Sequence, residues 1–290
     1  MNHSEEGAAR SEGRRIRAVA VDVEKIGTYS NAIEDIYEDD LDAIVLRHAF
    51  PTETATIVTD RVRIESSLPW LRPNKIGPNT DIRVLGIPAT PTFEAPRGPD
   101  VEDYFSSAQE YDAVIRGVFP ADCEPAAYTE RLLARVSGDR SIKAARDSRG
   151  RSFARCSLRS LPEGQSIIVH NDYFHFTLPV YGDLVSRLDT TISLSFFALI
   201  QAPEVGGELV VNGLTHQDSA PTLASGLPDT NAIQGGYVFE EFDLSSGDVI
   251  VFGAGKFYHQ VRPVIGKRPR ITLGGFLAFD RDRKNVIYWN

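Results

Sequence analysis

The feature that most constrains this chain is a succession of short apolar runs from Ser152 to the C-terminus, each bounded by turn residues. SFARCSLRSL, SIIVH, TTISLSFFALI, GGELVV, YVFEEFDL, DVIVF, FYHQVRPV, RITLGGFLAF and NVIYW follow one another, separated by Gly, Pro, Asp and Ser. Runs this short, with no helical periodicity between them, predict an antiparallel sandwich or barrel. The first half reads differently. Arg17 to Val23 and Ala43 to Arg47 are strand-like, whereas Asn31 to Asp40 and Glu53 to Leu68 suit helices. Asp100 is an N-cap for a helix that carries Val101, Tyr104, Phe105, Ala108, Tyr111, Val114 and Ile115 at helical spacing. Pro125 to Val136 is a further helix, stopped near Gly138. Ser141 to Arg151 is polar and basic and is expected to be a link. The expected fold class is mainly β with helical additions. One domain spans residues 15–290, with a helical and mixed part (15–150) packed on a jelly-roll core (151–290). Residues 1–14 are small and polar and are expected to be a disordered tail. Two long irregular stretches, Pro69 to Pro99 (with a strand-like Ile82 to Ile87) and Asn212 to Gly236, read equally as lids or as surface loops.

Charge and cysteine usage narrow the function classes. The net charge of −9 argues against nucleic acid or anionic membrane as the partner, because phosphate binding needs clustered Lys and Arg. No apolar run approaches the roughly 20 residues of a membrane span, and the N-terminus lacks the apolar core of a signal peptide. Cys123 and Cys156 form neither a CxxC pattern nor a disulfide framework, which suits free thiols in a reducing cytosol and a cytoplasmic location. The expected partner is therefore a small molecule.

Within the strand-rich half, three pieces carry chemistry in a fixed order. The strand SIIVH ends in His170-Asn171-Asp172, and His-x-Asp places two ligating side chains on one face. His259 lies on a later strand. Two histidines and one carboxylate leave adjacent positions open on a metal, the arrangement of non-haem Fe(II) oxygenases. The next strand carries Arg270 and Thr272 on one face and Ile271, Leu273 and Leu277 on the other. Arg270 can pair with the distant carboxylate of a metal-bound dicarboxylate cosubstrate, and Thr272 can donate to it. Each piece alone is common in ordinary cores and surfaces; the ordered set is specific. His216-Gln217-Asp218 repeats the His-x-Asp spacing but sits in a polar stretch that reads as loop. Arg268 precedes Pro269, lacks the following hydroxyl, and ranks below Arg270. Tyr173, Phe174 and His175 follow the metal motif and are candidates for a substrate pocket or for packing.

These residues resemble the Fe(II)/2-oxoglutarate-dependent oxygenases. PEVGGELVVNGL, FYHQV, PRITLGGFLAF, IYWN and AIEDIYEDDLDAIVLRHAFP are similar to one branch, the carrier-independent aliphatic halogenases of hapalindole- and welwitindolinone-type alkaloid biosynthesis. The likeness covers most of the chain and is weakest across Pro69 to Pro99 and Asn212 to Gly236. It implies a double-stranded β-helix, Fe(II), 2-oxoglutarate and O2, and a free, fairly apolar substrate from specialised metabolism. It adds Arg159 as a second cosubstrate contact and Ser195 as a pocket residue; a surface charge and a packing residue are the equal alternatives. One departure matters. The halogenases have glycine where this chain has Asp172, and that absence frees a coordination position for halide. A carboxylate there implies hydroxylation of an unactivated C–H bond. The same chemistry can instead give desaturation, cyclisation or epimerisation. A cupin-type metal isomerase or lyase that does not use 2-oxoglutarate is a further alternative, as is a binding barrel without catalysis.

Overall fold

A computed structural model describes residues 13–64, 67–70, 82–86 and 100–290. The expected tail lies almost wholly outside the described residues, as does most of Pro69 to Pro99. In chain order the first elements are β1 (Ala18–Asp22), α1 (Ala32–Tyr37), β2 (Ala43–Arg47), α2 (Thr52–Ile64), β3 (Arg83–Leu85), α3 (Val101–Val118), α4 (Pro125–Ala134) and β4 (Ser141–Ala144). They are followed by β5 (Ser157–Leu161), β6 (Ile167–His170), α5 (Gly182–Val185), β7 (Leu194–Gln201), β8 (Val205–Gly206), β9 (Leu209–Thr215) and α6 (Thr230–Gly236). The chain ends with β10 (Phe239–Phe242), β11 (Val249–Phe252), β12 (Phe257–Val261), β13 (Val264–Ile265), β14 (Arg270–Phe279) and β15 (Asn285–Trp289).

The large sheet runs β1-β2-β11-β7-β14-β15-β4, and β5, flanked by β3, pairs with the first half of β14. The smaller sheet runs β10-β9-β12-β6. Most of the pairing is antiparallel, as the short turn-bounded runs require. Alternation sorts the large sheet's two faces. Ile44, Leu46, Val249 and Val251 join the helices in the larger apolar cluster. Ala43, Val45, Ile250 and Phe252 instead meet Leu209, Val211, Phe257 and Val261 of the smaller sheet in a second cluster. The two sheets thus share an interior, and the helical part covers the outer face of the large one. The α3 helix is fixed at its start by Asp100, whose carboxylate accepts from the amides of Glu102 and Asp103. Along its length Tyr104, Phe105, Ala108, Ile115 and Val118 are buried.

Three sequence expectations need correction. Ser141 to Arg151 is not all link, because Ser141–Ala144 pairs in parallel with Asn285–Tyr288 as an edge strand. The runs at Ser152 and Thr190 pair as strands only from Ser157 and Leu194. The stretch Asn212 to Gly236 contains a helix of its own, α6, capped by Asp229 and anchored by buried Ile233. Asp218 accepts from the amide and hydroxyl of Thr215, so His216-Gln217-Asp218 is a turn, as its composition suggested.

Candidate metal centre

The strands β6 and β12 are antiparallel neighbours, and the register sets His170 directly against His259. Their rings lie with centroids 4.3 Å apart. Just past the end of β6, the Asp172 amide donates to the Ala254 carbonyl at 3.0 Å, which draws the turn across the start of β12. The carboxylate so placed sits 3.6 Å from His170 Nε2 and 3.6 Å from His259 Nε2. Donor atoms of the three residues lie within 4.8 Å of one another, the one such group among the described residues. The strand pairing sets the two histidines together, and the turn beyond β6, tied to Ala254, brings the carboxylate to them.

The histidines are held in the form a metal needs. His170 Nδ1 lies 2.8 Å from the Ile168 carbonyl and His259 Nδ1 lies 3.0 Å from the Phe257 carbonyl. A carbonyl can only accept, so each Nδ1 carries the proton and each Nε2 presents its lone pair toward Asp172. Burial pushes His259 down to about 4, with His170 adding to the effect, so its ring is neutral near pH 7. Burial also raises the Asp172 carboxyl, but His175, His259, His170 and Arg159 outweigh it and hold the group below the usual carboxylate range. Two imidazole Nε2 atoms and one ionised carboxylate fit Fe(II) as ligands. His170 is the most open of the three and marks the side that faces solvent.

Across the interior, the large sheet presents cations. Arg159 on β5 is the cross-strand partner of Thr272 on β14, and Arg270 is two residues before Thr272 on the same face. Arg270 and Thr272 are buried, at 2% and 6% exposure. Burial pushes Arg270 down to about 9, and the nearby Arg159 charge pushes the same way. Arg159 is lowered by burial too, against the pull of Asp172. The Arg270 guanidinium rests over the Phe197 ring at 4.9 Å, and its Nε has no hydrogen-bond partner among the described residues. A buried guanidinium with an idle donor, beside a second, half-buried one that repels it, forms a site suited to an anion. Gly207 is part of it: at φ +72 it lies where a Cβ would come within 3.1 Å of Arg270 Cδ. The Gly-Gly of GGELVV was the sequence signal for this close approach.

The remaining candidates lie at mixed positions. Ser195 on β7 is the cross-strand partner of Phe276 and its hydroxyl contacts the Gly275 carbonyl at 3.3 Å. Tyr173 is exposed and stacks on His216 at 4.3 Å. Phe174 packs edge-on against His175 at 4.4 Å. His175 is buried, with Nε2 3.8 Å from Asp172 Oδ1. Phe252 and Phe276 were not singled out in the sequence, yet their rings abut His259 at 5.1 Å and His175 at 4.5 Å. Strand parity alone could have placed Phe276 on the face of Thr272.

A two-histidine, one-carboxylate donor group placed between two sheets, opposite two arginines, defines the mononuclear non-haem iron class of protein. Within it the chain belongs to a particular family, since residues 16–290 match the carrier-protein-independent halogenase WelO5 family. The structure is similar to that of an N-substituted L-amino acid dioxygenase from Burkholderia ambifaria, with a TM-score of 0.56 and 17% identity over 91% of this chain and 92% of that one. The same dioxygenase in complex with alpha-ketoglutarate gives a TM-score of 0.53 and 15% identity over 89% and 90% of the two chains. At such identities the likeness is one of fold. No curated protein matches the chain. No helix among the described residues is long and apolar enough to cross a membrane.

Proposed function

We propose that this protein is an Fe(II)- and 2-oxoglutarate-dependent oxygenase that hydroxylates an unactivated C–H bond of a free, largely apolar small molecule, built as one domain on a double-stranded β-helix. The observation that carries the reading is the pairing of the His170, Asp172 and His259 set with buried Arg270 and half-buried Arg159, which repel each other across the same interior. Bound Fe(II), with 2-oxoglutarate and O2, supplies the oxidising power for C–H cleavage. The chain's own residues do the rest. His170 and His259 offer Nε2 because their Nδ1 protons are committed to the Ile168 and Phe257 carbonyls. Arg270 takes the far carboxylate of the cosubstrate, Thr272 adds a hydroxyl donor, and Arg159 balances charge between that carboxylate and Asp172. Phe252, Phe276 and Phe174 keep water from the reacting carbon, and Ser195, Tyr173 and His175 border the same space.

Hydroxylation is preferred to halogenation because Asp172 fills the third protein position, which a halide would need. The family's carrier-protein-independent character supports a free substrate. The fixed anion site argues against an isomerase or lyase that uses metal alone. The test is succinate formation from 2-oxoglutarate under air, with Fe(II), for the wild type and for Asp172→Gly supplied with chloride. Fe(II)-dependent succinate from the wild type supports the assignment, and chloride-dependent products confined to Asp172→Gly support the role given to the carboxylate. No succinate from an iron-loaded wild type overturns the assignment; chlorinated product from the wild type overturns the hydroxylase reading.

A further inference from the structure

His175 has an environment that packing does not explain. The residues after Asp172 form a tight turn of 3-10 helix, Tyr173–Thr177, in which the His175 amide donates to the Asp172 carbonyl at 3.1 Å. Side chains three residues apart eclipse in this geometry. The turn therefore brings the His175 ring beside the Asp172 carboxylate, with Nε2 3.8 Å from Oδ1, just beyond direct hydrogen-bond length. Phe276 packs against the ring at 4.5 Å and 80°, which limits its rotation. Nδ1 is buried and has no hydrogen-bond partner among the described residues. A proton on Nδ1 would be a stranded donor; a proton on Nε2 faces an anion. The Nε2–H form follows on electrostatic grounds. His175 lies outside the group of three whose donor atoms converge.

We propose that His175 is a positioning residue for the iron centre: its Nε2–H faces Asp172 Oδ1 and fixes the orientation of the carboxylate, whose Oδ1 lies 3.6 Å from His170 Nε2 and whose Oδ2 lies 3.6 Å from His259 Nε2. A ligand carboxylate fixed in orientation by an outer partner binds metal more tightly than one free to turn. The inference rests on the iron-centre reading above and adds a residue to it.

The test is anaerobic titration of the full chain with Fe(II) alone, comparing wild type, His175→Leu and His175→Gln, with circular dichroism of each apo protein. His175→Leu fills the space without a donor and is expected to weaken Fe(II) binding about 10–100-fold, as loss of an outer partner of a ligand does. His175→Gln places an amide N–H near the former Nε2 and is expected to stay within about threefold of wild type. Should His175→Leu not fold, His175→Phe, which keeps a ring against Phe276, replaces it. A leucine or phenylalanine variant that binds as tightly as wild type overturns the proposal in favour of packing. A glutamine variant as weak as the apolar ones overturns it in favour of a direct ligand role. A wild type that takes up no Fe(II) removes the iron-centre reading itself and this proposal with it, a result distinct from either of the others.

Discussion

Asp248 and Asp172 are both buried carboxylates, at 1% and 5% exposure, and the chain treats them differently. Asp248 accepts from the amides of Ser245 at 2.8 Å and His48 at 3.2 Å and pairs with Arg47. Its charge is answered by donors that fold with it, so it ties the turn before β11 to the end of β2. Asp172 has three imidazole nitrogens at 3.6 to 3.8 Å instead. Opposite it Arg270 keeps an idle Nε. A buried charge that serves the fold is satisfied by the fold. One that serves chemistry is left with capacity for a ligand, at a cost in stability that the rest of the interior offsets. The contrast separates the two regions by physical state, not by residue type.

The sharpest way to break the contrast is to remove a ligand. His259→Ala should abolish Fe(II) uptake and 2-oxoglutarate turnover while the apo protein stays folded, which metal analysis after dialysis and circular dichroism will check. Next in size is Arg270→Met. It should raise the KM for 2-oxoglutarate at least about 30-fold, the scale of a truncated buried charge contact. The same change should stabilise the apo protein by about 1–2 kcal/mol, because it removes an unpaired buried cation. Urea unfolding that shows the variant less stable than wild type would count against an idle Arg270. Asp248→Ala should do the reverse. Stranding the Ser245 and His48 amides should cost about 1–3 kcal/mol of stability, with Fe(II) affinity unchanged.

A further test concerns pH. Burial holds His175 and His259 down to about 4, against an ordinary value of 6.5. Between those values the unfolded chain binds protons that the folded apo protein does not, so stability rises with pH across that window and is lost as pH falls through it. The apo melting temperature should therefore drop as the pH falls from about 6.5 towards 4. Saturating Fe(II) should steepen the dependence, since protons compete with the metal for the same nitrogens.

Much of this could be read before the structure. Strand parity placed Arg270 with Thr272, because alternation is a local property of extended chain; the His-x-Asp spacing pointed to His170 and Asp172, although Asp172 lies in the turn beyond the strand. What local pattern cannot show is who pairs with whom. The direct His170 to His259 register and the Thr272 to Arg159 pairing are tertiary facts. So is β4, whose four residues Ser141–Ala144 become a strand only because β15 offers an open edge. The slip in register between Ile271 and Thr272 belongs to the same category. In α6, by contrast, a signal was present: Asp229 follows Pro228 and caps the helix through the amides of Asn231 and Ala232. The surrounding Gly and Pro content hid it. The turn that brings His175 over Asp172 carries no periodic apolar pattern at all, and only the coordinates reveal it.

The measurement that tests the central claim most directly is an anaerobic titration with Fe(II) and then 2-oxoglutarate, following the visible charge-transfer band of the chelate. The account predicts a band in the wild type that is lost in His259→Ala and appears only at much higher 2-oxoglutarate in Arg270→Ala. Stoichiometric Fe(II) binding with no band on adding 2-oxoglutarate would contradict it, and would leave buried Arg270 without the anion it is held here to await.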